Sequence, residues 1–220
     1  MLEIKNVSFR YHETSVNLIN NFTFSADNKD IIAIQGDSGS GKTTLLNIIC
    51  GVIPKIFNGD LSGNIIHNEV DISNLTLPEI APRISLLMQH PDNQLFFPTV
   101  EQELAFGPEN LKIPTNDIIK RIDEVLNRLN IKDLRLKETS ALSFGQKKLV
   151  SLASIITLSP DIFLLDEPFA GLSNEYIKVI STEIKTQAEN GKIIFIAGHN
   201  ININEFANKT IEMENLNERY

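Results

Sequence analysis

A nine-residue stretch, GDSGSGKTT, constrains the fold of this chain more than any other feature. It matches G-x-x-x-x-G-K-T and lies between an apolar run at Ile31–Ile34 and a helix-like run at Leu45–Cys50. A strand, a glycine-rich loop and a helix in this order are the setting of a phosphate-binding loop. Small residues let several backbone N–H groups turn toward one anion, and the helix start adds partial positive charge. The sequence therefore predicts that a nucleotide binds at Gly36, Asp37, Ser38, Gly39, Ser40, Gly41, Lys42, Thr43 and Thr44.

Two side chains of this loop have expected roles beyond those of the backbone. Lys42 is placed to reach the β- and γ-phosphates, and the Thr43 hydroxyl is placed to bind Mg²⁺. An ordinary glycine-rich turn is the alternative, and the flanking strand and helix make it the weaker interpretation.

Length and charge limit the class of protein. A chain of 220 residues suits one domain, or one domain with an inserted lobe. Its single cysteine, Cys50, excludes a disulfide framework and a multi-cysteine metal site. No apolar stretch reaches membrane-spanning length and no signal-peptide pattern is present, so we expect a cytoplasmic protein. The net charge of −8 argues against broad contact with nucleic acid and leaves membrane-protein partners open.

The segment before the phosphate loop has the pattern of β-strands. Residues 2–9 alternate between apolar and polar, and Phe22 and Phe24 are two positions apart, on one face of a second strand. We therefore predict an antiparallel flap beside the nucleotide core. Tyr11 follows the first strand, and its ring is a candidate to stack on adenine; an ordinary aromatic residue at a strand end is the alternative.

The middle of the chain has helical signals instead. A capping box at Thr99 opens a short helix that we expect to run through Phe106. Apolar residues recur at steps of three and four in Asn116–Leu129, which predicts an amphipathic helix. Ser143 is placed to cap a further helix over Gly145–Leu158.

Together these patterns predict an α/β fold in a single domain. Its P-loop NTPase core comprises residues 1–90 and 160–220, with the antiparallel β flap, and residues 91–159 form an inserted helical lobe. The continuous apolar run Ile162–Leu165 suits a parallel strand buried on both faces. This strand ends at Asp166 and Glu167, at the edge where α/β sheets bind ligands.

The ordered set of motifs resembles that of the ATP-binding cassette (ABC) ATPases over nearly the whole chain. The family's signature LSGGQ corresponds to LSFGQ at Leu142–Gln146. Gln89, His199 and Tyr11 stand where the family has its glutamine at a strand end, its switch histidine and its adenine-stacking aromatic residue. The resemblance implies that two such ATPases enclose two ATP molecules head to tail.

The resemblance also implies roles for individual residues. Asp166 is expected to hold Mg²⁺ through water, and Glu167 to polarise the attacking water. Gln89 is expected to contact both the metal and this water, and His199 the γ-phosphate. The expected catalytic set is thus Lys42, Gln89, Glu167 and His199, and the expected metal set is Thr43, Gln89 and Asp166. The signature residues expected to face the ATP of the other subunit are Ser143, Gly145 and Gln146.

Two residues depart from the family pattern. Phe144 replaces the first glycine of the signature, so a bulky ring enters the expected dimer interface. Ser173 replaces the aspartate of the D-loop, and we expect it still to cap the following helix. These departures predict a working ATPase with a less efficient shared site. They suit a heterodimer whose two shared sites are unequal, and a homodimer is the alternative.

A longer stretch, Met88–Gly107, resembles the ATPases of energy-coupling factor importers, which take up vitamins or transition-metal ions such as cobalt and nickel. In that branch the region docks integral membrane subunits, so the expected docking segment is Gln89–Phe97. Three large apolar residues, Leu95, Phe96 and Phe97, need a covering surface, and the resemblance favours a partner over the chain's own lobe.

The predicted function is therefore ATP binding and hydrolysis for a membrane importer, at the cytoplasmic face of the membrane, with ATP and Mg²⁺ as ligands. Another class of ABC transporter, or an ABC ATPase of DNA repair or translation, is the alternative. Proteins of the repair and translation class usually carry long coiled coils or two cassettes, and this sequence shows neither. An unrelated P-loop kinase or GTPase lacks a helix start of the LSFGQ type. The transported substrate is not readable, because the membrane subunits select it.

Overall fold

The computed structural model describes residues 1–198 and 206–213. The strands within these residues are β1 (Leu2–Arg10), β2 (Ile19–Ala26), β3 (Ile31–Gln35), β4 (Asp60–His67), β5 (Val70–Asp71), β6 (Ile84–Leu87), β7 (Ile162–Asp166), β8 (Ile193–Ala197) and β9 (Lys209–Glu212). The α-helices are α1 (Lys42–Ile49), α2 (Val52–Lys55), α3 (Leu77–Ile80), α4 (Val100–Asn110), α5 (Thr115–Arg128), α6 (Phe144–Leu158) and α7 (Asn174–Glu189). Short 3₁₀ helices lie at Ile72–Asn74, Pro91–Asn93, Lys132–Leu134 and Thr139–Ala141.

Five strands form a parallel sheet in the order β6-β7-β8-β3-β9. Every residue of β7 and β8 is buried, and the burial of β7 confirms the prediction that the apolar run Ile162–Leu165 is a central parallel strand. The strand that precedes the phosphate loop, β3, lies between β8 and β9. The carboxyl ends of β3 and β7 therefore meet at the same edge of the sheet, where ligands bind in such folds.

The predicted antiparallel flap is confirmed and is larger than expected. It is a four-stranded sheet in the order β2-β1-β4-β5, so strands from both sides of the phosphate loop contribute to it. Strand β4 begins at Asp60, which pairs with Arg10 in register and also forms an ion pair with its guanidinium.

The parallel sheet separates two hydrophobic cores. On one face Ile32 and Ile34 pack with α1 and the antiparallel sheet. On the other face Ile31 and Ala33 join a core formed by helices α4 to α7. Because side chains alternate across a strand, the short strand β3 contributes to both cores and is fixed between them. Its phosphate loop is therefore anchored to a well-packed support.

Helix α4 is longer than the sequence predicted. It ends at Asn110, not at Phe106, and it contains Pro108. Proline has no N–H to donate to the carbonyl four residues earlier, that of Leu104. The Thr157 hydroxyl of α6 donates to this Leu104 oxygen at 3.1 Å, so the carbonyl is satisfied and the helix continues.

The helix predictions over Asn116–Leu129 and Gly145–Leu158 are confirmed within one residue at each end. Helix α1 begins at Lys42, three residues before the predicted run Leu45–Cys50, because the left-handed Gly41 starts the helix directly in the phosphate loop. Two of the three predicted caps are present. The capping boxes at Thr99 and Ser143 both form. Ser173 is the residue before α7 as expected, but its side chain makes no capping hydrogen bond. The helix starts instead through the Ser173 carbonyl, which accepts from the Ile177 N–H at 3.0 Å. The division into residues 1–90, 91–159 and 160–220 stays a prediction.

Candidate functional site

The phosphate loop runs from the end of β3 to the first residue of α1. Gly36 and Gly41 have φ angles of 141° and 97°, in the region that favours glycine. A Cβ on Gly36 would lie 2.4 Å from the Met213 carbonyl oxygen, so this position admits no side chain. In the described part of the chain no side chain caps α1. Its first N–H groups therefore point into the loop without a side-chain acceptor, as an anion site requires.

Lys42 is only 7% exposed, and its ammonium lies against the phosphate loop. Its Nζ donates to the carbonyl oxygens of Gly36 and Asp37, at 2.7 Å each. An ammonium group has three donors, so these bonds hold the charge at the centre of the loop. This is the position at which the sequence predicts phosphate.

Thr43 and Asp166 meet beside Lys42. The Thr43 hydroxyl donates to Oδ2 of Asp166 at 2.8 Å, which joins the start of α1 to the end of β7. Burial raises the pKa of the Asp166 carboxyl, while the Thr43 hydrogen bond and the charges of Lys148 and Lys42 act against the rise. A hydroxyl next to a carboxylate supplies the hard oxygen ligands that Mg²⁺ prefers. These residues thus fit the predicted metal ion.

One open cavity of about 190 Å³ collects most of the predicted site residues. It is lined by Leu18, Ser38, Gly39, Gly41, Lys42, Thr43, Thr44, Gln89, Asp166 and Glu167. The structure thus brings the phosphate loop, the end of β7 and Gln89 to one place. Leu18, which the sequence analysis did not identify, lies 3.2 Å from a Cβ built on Gly41. Leu18 is an apolar residue after a mainly polar turn, and this was the only feature of the sequence that could have indicated a place for it in the site.

Glu167 has an unusual backbone conformation. Its φ angle is +47°, a left-handed value that costs energy for a residue with a side chain. The conformation is held by the Glu167 N–H, which donates to the Ala197 carbonyl at the end of β8 at 2.9 Å. Strained residues of this kind cluster at functional sites, and this one aims its carboxylate at the cavity.

Tyr11 lies at the side of the phosphate loop. Its hydroxyl is 3.0 Å from Oγ1 of Thr44, and its ring packs edge-on against Phe9, with centroids 4.7 Å apart. Tyr11 is not among the residues that line the cavity. Its role as an adenine platform stays a prediction.

The signature residues lie apart from this cavity, at the start of α6. Ser143 accepts from the Gln146 N–H, and the Gln146 side chain accepts in return from the Ser143 N–H. A Cβ on Gly145 would lie 2.6 Å from the Tyr176 ring, so α6 and α7 touch at this glycine. Phe144 is 41% exposed and its ring covers Gly171 of the same chain. The bulky ring thus rests on the D-loop instead of standing free.

Lys148 is a central residue that the sequence analysis missed. It lies three residues after Gly145 in α6 and is fully buried. Its Nζ donates to the backbone carbonyl oxygens of Met88 and Gln89. Burial lowers the pKa of Lys148 to about 8, against the attraction of Asp166 and Glu167. The available signal was a lysine next to the apolar pair Leu149 and Val150.

Ser40 and His199 are two further residues that the sequence predicts in the site. The Ser40 hydroxyl is buried and has no hydrogen-bond partner among the described residues. His199, predicted to contact the γ-phosphate, lies outside the described residues. In residues 1–198 and 206–213 no helix is both long and apolar enough to cross a membrane.

Comparisons with known proteins agree with the motifs. The sequence pattern of the family described as "ABC transporter" matches residues 19–170. An energy-coupling factor transporter ATP-binding protein, EcfA2 of Clostridium perfringens, is 33% identical over 92% of this chain and 70% of its own length. A putative ABC transporter ATP-binding protein of Treponema denticola is 33% identical over 98% of this chain. The chain spans only 44% of that relative's length.

Solved structures share the fold. CbiO1 of Clostridium perfringens, described as part of the ABC transporter complex cbiONQ, superimposes with a TM-score of 0.83 at 31% identity, over 96% of this chain and 84% of its own. The dimeric cassette MJ0796, bound to ADP and Pi after hydrolysis, gives 0.83 at 22% identity, over 97% of this chain and 96% of its own. The matched pattern, the relatives and the common fold together show that this chain belongs to the ABC transporter ATP-binding family.

Proposed function

We propose that this chain binds and hydrolyses ATP as a subunit of a membrane importer of the energy-coupling factor type. One observation carries the proposal: Lys42, Thr43, Asp166 and Glu167 line a single cavity at the carboxyl edge of the parallel sheet. A phosphate loop, an oxygen site for a metal and a strained carboxylate are the components that phosphoryl transfer to water requires.

Each residue has a task in this proposal. Lys42 and the first N–H groups of α1 bind the phosphates, and Thr43 with Asp166 holds Mg²⁺, which neutralises phosphate charge when it is bound. The Glu167 carboxylate accepts a hydrogen bond from the attacking water and orients it. Gln89 lines the same cavity and orients the same water. His199 is proposed to contact the γ-phosphate, on the family resemblance alone.

The second half of the site is proposed to come from another ABC ATPase. Ser143 and Gly145 stand at the start of a 15-residue helix, and such helix starts bind anions. They lie outside the nucleotide cavity of their own chain. Ser143 is exposed there and Gly145 is buried, so a nucleotide held by a partner would meet Ser143 first. The MJ0796 cassette, which shares the fold at 22% identity, is described as a dimer bound to ADP and Pi. Phe144 lies in the signature and Ser173 in the D-loop. The turnover at each closed site would therefore depend on which subunit supplies its signature and its D-loop.

The membrane partner is proposed to dock on the aromatic patch, which comprises Phe96, Phe97 and Phe106. Their ring centroids lie 4.8, 4.9 and 5.3 Å apart, and Phe96 is 66% exposed. The patch borders an open groove of about 530 Å³ whose other walls include Leu95 and Lys147. Exposed apolar rings beside a groove are typical of a protein-binding surface. This docking would place the chain at the cytoplasmic face of the membrane.

The relatives support the importer class. EcfA2 is named for an energy-coupling factor transporter, and CbiO1 for the cbiONQ complex. We propose a vitamin or a transition-metal ion as the imported substrate. An ABC ATPase from another transporter class, or one with no transport role, is the competing proposal.

Turnover of the purified full chain tests the catalytic part. Glu167→Gln should lower kcat at least 100-fold and leave ATP affinity within threefold, because the phosphate-binding residues are intact. Glu189→Gln, the same change at an exposed position of α7, is the matched control. Equal kcat for both variants would show that Glu167 does not drive hydrolysis.

Co-purification from membranes tests the transport part. Phe96→Ser should abolish recovery of integral membrane subunits, while Phe57→Ser, at another phenylalanine that is 52% exposed, should not. Recovery of the wild type only in a soluble complex with DNA or ribosomes would refute the importer and favour the non-transport class.

A further inference from the structure

A charged side chain is fully enclosed behind the catalytic cavity. Lys148 of α6 has no exposed surface. Enclosing an ammonium group costs several kcal/mol unless its donors are satisfied. Its Nζ donates to the carbonyl oxygens of Met88 at 3.0 Å, Gln89 at 2.7 Å and Asp166 at 3.5 Å. The three donors of the group are thus matched by three backbone oxygens.

These oxygens belong to two segments that carry proposed catalytic residues. Met88 and Gln89 follow the last residue of β6, and Asp166 is the last residue of β7. Lys148 itself lies five residues after Ser143, the cap of α6. One side chain therefore joins the signature helix to the backbone of Gln89 and to the strand that ends in the metal-binding carboxylate.

A second side chain joins the same two elements. Gln94 accepts from the Met88 N–H at 3.0 Å through Oε1. Its Nε2 donates to the Ser151 carbonyl of α6 at 3.2 Å. The segment from Met88 to Gln94 is thus fastened to α6 at Lys148 and at Ser151, which lie three residues apart in the helix. At its exposed side, the Lys147 Nζ of α6 also donates to Asp92 at 2.6 Å.

We infer that Lys148 is a positioning residue, which fixes the Gln89 backbone relative to Asp166 and passes a displacement of α6 to the catalytic cavity. The inference rests on the proposed ATPase function and adds a residue to it. Lys148 does not line the cavity and has no contact with the proposed phosphate-binding residues of the loop. Its loss should therefore affect turnover and not nucleotide affinity.

The test separates these two quantities in the purified full chain. Lys148→Met keeps the length of the side chain and removes all three donors. We expect kcat to fall 10- to 100-fold, the loss typical of a catalytic group displaced by about 1 Å, with ATP affinity within twofold of the wild type. Lys148→Gln keeps one amide donor group and should retain an intermediate kcat. Lys120→Met, at a lysine whose side chain is 76% exposed, is the matched control.

Hydrogen exchange provides the structural readout. The amides of residues 88–94 should exchange faster in Lys148→Met, and those of residues 36–44 should not. If Lys148→Met does not fold, Gln94→Met is measured instead, and a fivefold or larger loss of kcat at unchanged ATP affinity is expected.

Three results would overturn the inference. One is a kcat within twofold of the wild type in the folded variant, and another is a parallel loss of ATP affinity, kcat and thermal stability, which would indicate a purely structural lysine. The third result applies if Lys148→Met does not fold and Gln94→Met is measured in its place: it is an unchanged kcat for Gln94→Met. A wild-type chain that binds ATP but never hydrolyses it would refute the proposed function instead, and the kcat comparison would fall with it.

Discussion

Glu103 holds the backbone beneath the aromatic patch, and its replacement gives the sharpest test of the packing described above. Its side chain is 4% exposed, on α4. One carboxylate oxygen, Oε2, accepts from the N–H groups of Phe96 and Phe97, at 2.9 Å each. The position of the two phenylalanine rings therefore depends on a single buried acceptor.

The cost of losing this acceptor follows from its two bonds. A hydrogen bond to a charged group contributes about 1.5–3 kcal/mol, and the exposure of Phe96 lets water replace part of it. We expect Glu103→Ala to lower the free energy of unfolding by about 3–4 kcal/mol. Glu103→Gln keeps a neutral acceptor oxygen and should cost about 1–2 kcal/mol. For a chain of this size the alanine variant should melt on the order of 10 °C lower.

Urea unfolding, followed by circular dichroism, measures both variants against Glu109→Ala. Glu109 is exposed on the same helix, so that change should stay within about 0.5 kcal/mol. The order of stability should be wild type and control first, then glutamine, then alanine. The reasoning is wrong if alanine and glutamine cost the same, because the acceptor would then contribute nothing beyond the volume of the side chain.

Three further predictions concern other parts of the molecule. Lys42→Met should weaken equilibrium ATP binding at least tenfold. Among the described residues that line the cavity, Lys42 is the only cation, and the change removes it. Calorimetry measures the affinity, and unchanged binding would contradict the prediction. Burial lowers the pKa of His67, so the folded state favours the neutral ring and stability is lost as pH falls below about 6.5. His67→Gln should therefore flatten the fall in Tm between pH 7 and pH 5, and the exposed His12→Gln should not. Gly145→Ala should destabilise the chain by about 1–3 kcal/mol through its clash with Tyr176, and Tyr176→Ala should relieve the clash in a double-mutant cycle.

Much of the fold was predictable because its signals are local. The apolar runs of β3 and β7 and the capping boxes at Thr99 and Ser143 depend on neighbouring residues, and all of them are present in the structure. The end of α4 was wrong for the opposite reason. Pro108 predicts a helix stop from the sequence alone, and Thr157 from another helix cancels it.

The candidate site was also predictable only where its residues depend on local sequence order. Lys42, Thr43, Asp166 and Glu167 follow strands that end at one edge of a sheet, so their meeting in one cavity follows from sequence order and parallel topology. Lys148 could not be predicted, because its role arises only where α6 crosses the ends of β6 and β7. A lysine inside a helix is ordinarily a solvated residue, and only the packing shows that this one is enclosed.

The central place of β3 has a consequence for the order in which the protein folds during synthesis. The neighbours of β3 in the sheet are β8 and β9, and the carbonyl of Met213 lies against Gly36. The antiparallel sheet needs only the first 71 residues, whereas both strands that flank β3 in the parallel sheet come much later, at Ile193–Ala197 and Lys209–Glu212. The parallel sheet around the phosphate loop therefore closes only after residues near 212 have left the ribosome, and bound nucleotide can stabilise the completed sheet only from that point.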